Sequence, residues 1–251
     1  MRKGIVLFLL VCLGLTACSS PEQAETRSTE VQSETVQNME AQVTEEADAD
    51  EQELEDGAGT AQGDEDPQSE KILIAYFTWA ENTHVEDPSA VDVDATTSAS
   101  VLPPGNTAKL AGWIQEQVGG DLFSILVEDP YSSDYDQCLE RASDEKAENA
   151  RPALVSHVED MEQYDTIFLG FPNWWYTVPM PLLTFLEEYD FSGKTVIPFC
   201  AHGTGGLAGS IQAIENALPE SAALLEPIGV YRPDVDSAQP VINQWLESLG
   251  Y

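Results

Sequence analysis

Three short stretches carry residues suited to holding a flat, charged ligand. Gly105-Asn106-Thr107 sets a glycine, an amide and a hydroxyl directly before a run of helical spacing, Leu110, Ala111, Ile114 and Val118. Free amides at a helix start, with hydroxyls beside them and a glycine for close approach, suit a phosphate. The same residues also serve as ordinary helix caps. Thr78 ends the apolar run from Lys71 to Phe77 and adds a second hydroxyl, whereas the competing Glu81-Asn82-Thr83 carries a carboxylate that repels phosphate. In the second stretch, Pro172, Asn173, Trp174, Trp175 and Tyr176 put an amide and three successive aromatics at a strand exit. Such aromatics either plug a core or wall a site for a flat ligand. The third, Cys200-Ala201-His202-Gly203-Thr204-Gly205-Gly206, holds three glycines in seven residues, which lets backbone approach a ligand edge closely. His202 is a candidate hydrogen-bonding partner there, while His84 and His157 sit in polar connectors. No Ser/His/Asp or metal-ligand spacing stands out, so hydrolase and metalloenzyme readings rank low and no metal is expected.

The elements that must position these stretches follow from periodicity. Continuous apolar runs at Lys71 to Phe77, Leu122 to Val127, Thr166 to Leu169, Thr195 to Phe199 and Leu224 to Val230 predict strands buried on both faces of a parallel sheet. Helical spacing lies between and after them, marked by Leu139 and Ala142, by Leu182, Leu183, Phe185 and Leu186, by Leu207, Ile211, Ile214 and Leu218, and by Val241, Ile242, Trp245 and Leu249. Alternating strands and helices predict an α/β fold, a doubly wound five-stranded parallel sheet. Ligands of such sheets bind outside the carboxyl ends of the strands, where all three stretches fall.

Charge is strongly negative and uneven. The 251-residue chain carries a formal net charge of -35, and residues 71–251 hold 28 acidic against 7 basic side chains. That balance disfavours nucleic acid and direct contact with anionic membrane surfaces. Arg2 and Lys3 precede a short apolar run, Ile5 to Leu15, of secretory-signal type. Its end, Leu15-Thr16-Ala17-Cys18, resembles the lipobox of bacterial lipoproteins, which implies a signal peptide at 1–17, a lipid on Cys18 and an extracytoplasmic protein anchored to the cell membrane through that lipid alone. Residues 18–70 are too poor in apolar side chains to offset chain entropy and read as a disordered acidic tether, with a reach of about 40 Å. The folded domain is expected at 71–251.

Thr78, Gly105-Asn106-Thr107, Gly170-Phe171-Pro172-Asn173-Trp174-Trp175 and Cys200 to Gly206 resemble the three FMN-binding loops of the flavodoxin family, most closely its bacterial members with a lengthened first loop and a Pro-x-Trp-Trp second loop. The resemblance covers essentially all of residues 71–251. It implies strand order 2-1-3-4-5 and non-covalent FMN. Thr78, Asn106 and Thr107 would hold the phosphate beside Gly105, Pro172 to Tyr176 would flank the ring, and Ala201, His202, Gly203, Thr204, Gly205 and Gly206 would meet its pyrimidine edge. In that strand order Cys138 and Cys200 lie about 14 Å apart at ordinary strand spacing, beyond disulfide reach, so both are expected as free thiols.

The functional expectation is an FMN protein that carries electrons to a redox partner protein or reduces a small-molecule acceptor. Dense negative charge around the ring should lower its potential. Carrier and NAD(P)H- or quinone-type oxidoreductase both stay open. The alternative is a flavin-free binding or interaction module, motivated by Glu81 and by the excursion from Trp79 to Pro104 that splits the first loop.

Overall fold

The computed structural model of the protein describes residues 71–98 and 100–251. The expected signal peptide at 1–17, the expected tether at 18–70 and Cys18 lie outside the described residues.

The first apolar run forms β1 (Ile72–Tyr76), which buries its middle three residues. It pairs in parallel with β2 (Asp121–Ser124) on one side and β3 (Thr166–Pro172) on the other. β4 (Thr195–His202) lies beyond β3 and is itself flanked by β5 (Ala223–Leu224) and β6 (Ile228–Tyr231). The order is β2-β1-β3-β4-β5 with β6 also against β4, so the doubly wound parallel sheet and its 2-1-3-4-5 order are as expected.

Two details differ. The single strand expected at 224–230 is two pieces separated by Leu225-Glu226-Pro227, because Pro227 has no N–H to continue the ladder. β3 and β4 also run further than their apolar cores, which makes Gly170 to Pro172 and Cys200 to His202 strand rather than loop. Gly170 sits opposite Phe199 on β4, and a Cβ there would run into the Phe199 ring.

Alternation along the strands separates two cores. On one face Ile74, Phe168, Ile197 and Phe199 pack with α2 (Asn106–Val118) and α6 (Gln239–Leu249) through Leu110, Ile114, Ile242 and Leu246. On the other, Leu73, Ala75, Phe77, Ile167 and Leu169 pack with α3 (Tyr135–Glu148), α4 (Met180–Glu188) and α5 (Ser210–Ala217) through Cys138, Leu182, Phe185 and Ile214. Burying each such aliphatic side chain contributes about 1.5–3 kcal/mol. Among the described residues no helix is long and apolar enough to cross a membrane.

The excursion after β1 is structured. It opens on a single 3-10 turn, Trp79–Glu81, and contains α1 (Val93–Ser98), whose Ala95 is buried in the same core as Phe77. Asn82 ties its root to the sheet. The buried amide donates to Thr78 O at 2.9 Å and to Ile125 O at 3.0 Å, and its Oδ1 accepts from Val127 N at 2.8 Å. At the opposite end of the sheet the buried Lys194 ammonium donates to the carbonyls of Tyr164 at 2.6 Å and Met161 at 3.1 Å. Cys138 and Cys200 are both free and buried.

Candidate functional site

A cavity of about 300 Å³ opens above the carboxyl ends of β1, β3 and β4, within the size range of small-molecule sites. Its lining draws on all three stretches singled out in the sequence.

One end is built for an anion. The polar end of α2 begins at Asn106 with no side-chain cap, and its first intrahelical bond on this turn is Lys109 N to Gly105 O at 3.1 Å. The amides before it point out of the helix unmatched. Gly105 takes φ of 83°, and a Cβ on it would collide with Thr78 Oγ1. Glycine is needed there on both counts. Thr78 and Thr107 are buried, yet among the described residues neither hydroxyl is hydrogen-bonded within the chain. Uncapped amides, two free hydroxyls and a cradle that a methyl group would fill fit a phosphate. Glu81 stands away from this end: its carboxylate accepts from Tyr76 Oη at 3.1 Å and from Ser124 Oγ, and it does not line the cavity. Burial, then the Glu81 charge, pushes the Tyr76 phenol up to about 12.

The aromatics form a wall with a foot in the core. Trp174 N and O bond Thr177 O and N, both at 3.0 Å, and close a two-residue hairpin turn whose central residues, Trp175 and Tyr176, have φ of 50° and 64°. Left-handed backbone at two successive bulky residues is costly and persists only when the surroundings over-determine it. Here they do. Lys146 Nζ donates to Trp175 O at 2.6 Å, the Trp175 indole N–H donates to Leu139 O at 2.9 Å, and Gly209 N donates to Tyr176 O at 3.0 Å. Trp175 and Tyr176 remain 40% and 65% exposed, so they face outward around the cavity rather than fill the core. Trp174 does both jobs, since it lines the cavity and packs edge-on against Phe77 and Tyr131. Behind it, Tyr131 donates to Glu145 at 2.6 Å, and burial followed by that carboxylate raises its phenol.

The third edge is backbone. Ala201, Gly203, Thr204 and Gly205 line the cavity. Asn173 holds this edge to the wall, with its N–H on Ala201 O at 3.0 Å and its amide on Gly206 O at 2.6 Å. His202 turns the other way. Its Nδ1 lies 2.6 Å from Gly203 O, and its ring packs over Gly229 toward Tyr231 on β6. Gly105, His202 and Gly206 therefore support the cavity from behind, while Thr78, Asn106, Thr107, Pro172, Asn173, Trp174, Trp175, Tyr176, Ala201, Gly203, Thr204 and Gly205 meet in its lining.

Four lining residues escaped the sequence reading: Trp79, Tyr135, Leu139 and Arg232. Trp79 follows Thr78 at a strand exit, and Tyr135 and Leu139 share a helix face at a four-residue spacing; both signals are visible in retrospect. Arg232 is a lone cation just past the last predicted strand.

A flavodoxin family model matches residues 93–248. The chain belongs to the flavodoxin family. Flavodoxin 1 of Escherichia coli K12 is 28% identical over 129 residues, covering 50% of this chain and 57% of the relative. The FMN-dependent NADH:quinone oxidoreductase 2 of Bacillus cereus is 31% identical over 117 residues, 43% of this chain and 54% of the relative. The chain thus spans little more than half the length of these curated relatives. A crystal structure of a protein described as a flavoprotein, from Bacteroides uniformis, superposes with a TM-score of 0.55 at 27% identity, over 72% of this chain and 99% of that one. Flavodoxin membership carries FMN with it as the cofactor, and the anion end, aromatic wall and amide edge fit that molecule's phosphate, ring and pyrimidine rim.

Proposed function

We propose that the protein is an FMN-dependent electron carrier, held on the outer side of the cell membrane by a lipid on Cys18 and the acidic tether at 18–70. The observation that carries the cofactor assignment is the single cavity joining an uncapped helix start to an aromatic wall. The lipobox and the apolar run before it carry the location.

FMN supplies one- or two-electron transfer when bound; the chain supplies position and electrostatics. Asn106 and Thr107 amides with the Thr78 and Thr107 hydroxyls hold the phosphate. Trp174, Trp175 and Tyr176 exclude water from the ring, and the backbone from Ala201 to Gly205 reads its pyrimidine edge. Exposure of Trp175 and Tyr176 leaves the ring's surroundings open to a redox partner or a small acceptor.

A second reading, direct reduction of a quinone, is favoured by the similarity to an FMN-dependent NADH:quinone oxidoreductase. FMN titration of the purified protein separates the outcomes. Quenching of FMN fluorescence at one equivalent is expected, and Thr78→Val with Thr107→Val weakens FMN by tenfold or more while leaving riboflavin, which lacks the phosphate, little affected. No quenching returns the flavin-free module. Rapid NADH consumption by the loaded protein with a quinone present selects the enzyme; exchange with a reduced partner without it selects the carrier. Cys18→Ser should release the protein from the membrane fraction, and retention there overturns the lipid anchor.

A further inference from the structure

Cations are scarce in this domain, and nearly all are occupied. Lys109 pairs with Asp236 at 2.6 Å, Arg151 with Glu187 at 2.6 Å, and Arg141 with Glu145 at 2.8 Å. Lys194 and Lys146 are spent on backbone carbonyls and Lys71 on Gln163. Arg232 is different: among the described residues it makes no hydrogen bond and no ion pair, although Asp234 and Asp236 lie on its own 3-10 turn, Arg232–Ser237. It lines the cavity. An arginine left unpaired in so acidic a domain, beside a ligand site, points to a negative charge supplied by the ligand.

The seat of the side chain narrows which charge. A Cβ on Gly203 would lie 2.7 Å from Arg232 Nη2 and 3.1 Å from its Cζ, so the guanidinium rests against this glycine. Gly203 is not among the residues with positive φ. Its backbone conformation is open to alanine, and what bars a side chain is the guanidinium alone. The pocket-edge glycine therefore makes room for the arginine. Arg232 follows β6, which lies one strand past β4, whereas Thr78 and the anion end stand over β1, two strands before β4. The guanidinium itself rests against Gly203 just past the end of β4, two strand spacings, about 10 Å, from β1, which sets it at the amide edge and not at the phosphate end.

We propose that Arg232 is a redox-tuning residue, which favours the reduced, negatively charged form of FMN at its pyrimidine edge. The inference rests on the FMN reading above. Full reduction adds two electrons to the ring; when one proton accompanies them, the ring gains one negative charge, delocalised toward the pyrimidine edge. A fixed guanidinium there stabilises that state more than the neutral oxidised one and offsets locally the acidic surroundings.

The test compares the loaded full-length protein with Arg232→Gln, Arg232→Lys and Gly203→Ala, and reads the affinity for oxidised FMN by fluorescence quenching and the midpoint potential by dithionite titration. In Arg232→Gln the affinity for reduced FMN should fall at least tenfold more than that for oxidised FMN, a drop of about 30 mV in the two-electron midpoint. Arg232→Lys restores part of it. Gly203→Ala, which displaces the guanidinium without removing its charge, shifts the midpoint the same way, and adds little in the Arg232→Gln background. An unchanged midpoint, equal losses for both redox states, or a Gly203→Ala shift that persists undiminished without the arginine each overturns the proposal. Failure of the wild-type protein to bind FMN overturns the FMN reading itself, and the arginine's role with it.

Discussion

The indole of Trp174 stands edge-on to the ring of Phe77, with centroids 5.4 Å apart and planes at 86°. Tyr131 meets the same indole at 5.1 Å and 81°. The wall of the cavity is thereby keyed into the core beneath β1. Trp174→Ala should lower stability to urea by about 3 kcal/mol and weaken FMN in parallel. Trp174→Phe, which keeps an aromatic edge in place, should lose less than half of each. A stable Trp174→Ala protein with weak FMN binding would show that the residue is wall alone.

Asn82 makes a separate prediction because its amide serves three main-chain groups at once. Asn82→Ala leaves Val127 N–H and two carbonyls without partners and should cost about 2–4 kcal/mol. Asn82→Asp puts a charged acceptor against the carbonyls of Thr78 and Ile125 and should be no better than alanine. Urea midpoints for the two variants decide it, and a cost below that of a surface substitution would mean the excursion holds its place by other means.

The turn at Trp175 and Tyr176 sets stability against binding. Tyr176→Gly relieves a φ of 64° and removes a ring that packs on Gly205. Stability should rise by about 1 kcal/mol while FMN affinity falls. A variant losing on both counts would show that the ring contributes more to the fold than its left-handed backbone costs.

Burial pushes the Cys138 thiol up to about 12, and burial also raises Cys200. Native protein at pH 8 should give no fast reaction with a thiol reagent, and two equivalents per folded domain should appear on unfolding. A raised thiol pKa also ties stability to pH: the unfolded chain loses this proton first, so the Cys138 contribution is whole below pH 9 and drains away toward about 12. Tyr76 and Tyr164, both raised to about 12 chiefly by burial, act in the same direction above pH 10. Urea stability should therefore decline steadily from pH 9 upward, and Cys138→Ala should delay the onset.

The inner strands were legible because strands buried on two faces read as unbroken apolar runs, as Ile72 to Tyr76 does, whereas the edge strand β2 is shorter and more exposed than its apolar run suggests. The helix start at Gly105 was legible too, since a glycine, an amide and a hydroxyl precede helical spacing at once. The direction of side chains was not. His202 sits inside the glycine-rich stretch yet turns toward Tyr231, because β4 extends through it and strand alternation points it away. Arg232 was hidden for the opposite reason: it lies 29 residues beyond Gly203, and only the pairing of β6 with β4 brings the two together. Glu81 looked like an obstacle to phosphate, but local distance in sequence does not reveal that Tyr76 and Ser124 hold it aside.

The indole of Trp175 is fastened to the carbonyl of Leu139, a main-chain atom of α3. Every residue type presents that oxygen, so the fastening is blind to side-chain identity. Gln137, Glu140, Asp144 and Glu148 on the exposed side of α3 can change without loosening that bond, whereas Lys146, whose side chain donates to Trp175 O, cannot change without loosening the turn. α3 thus holds the wall in part through its backbone, while its exposed side chains stay free to vary.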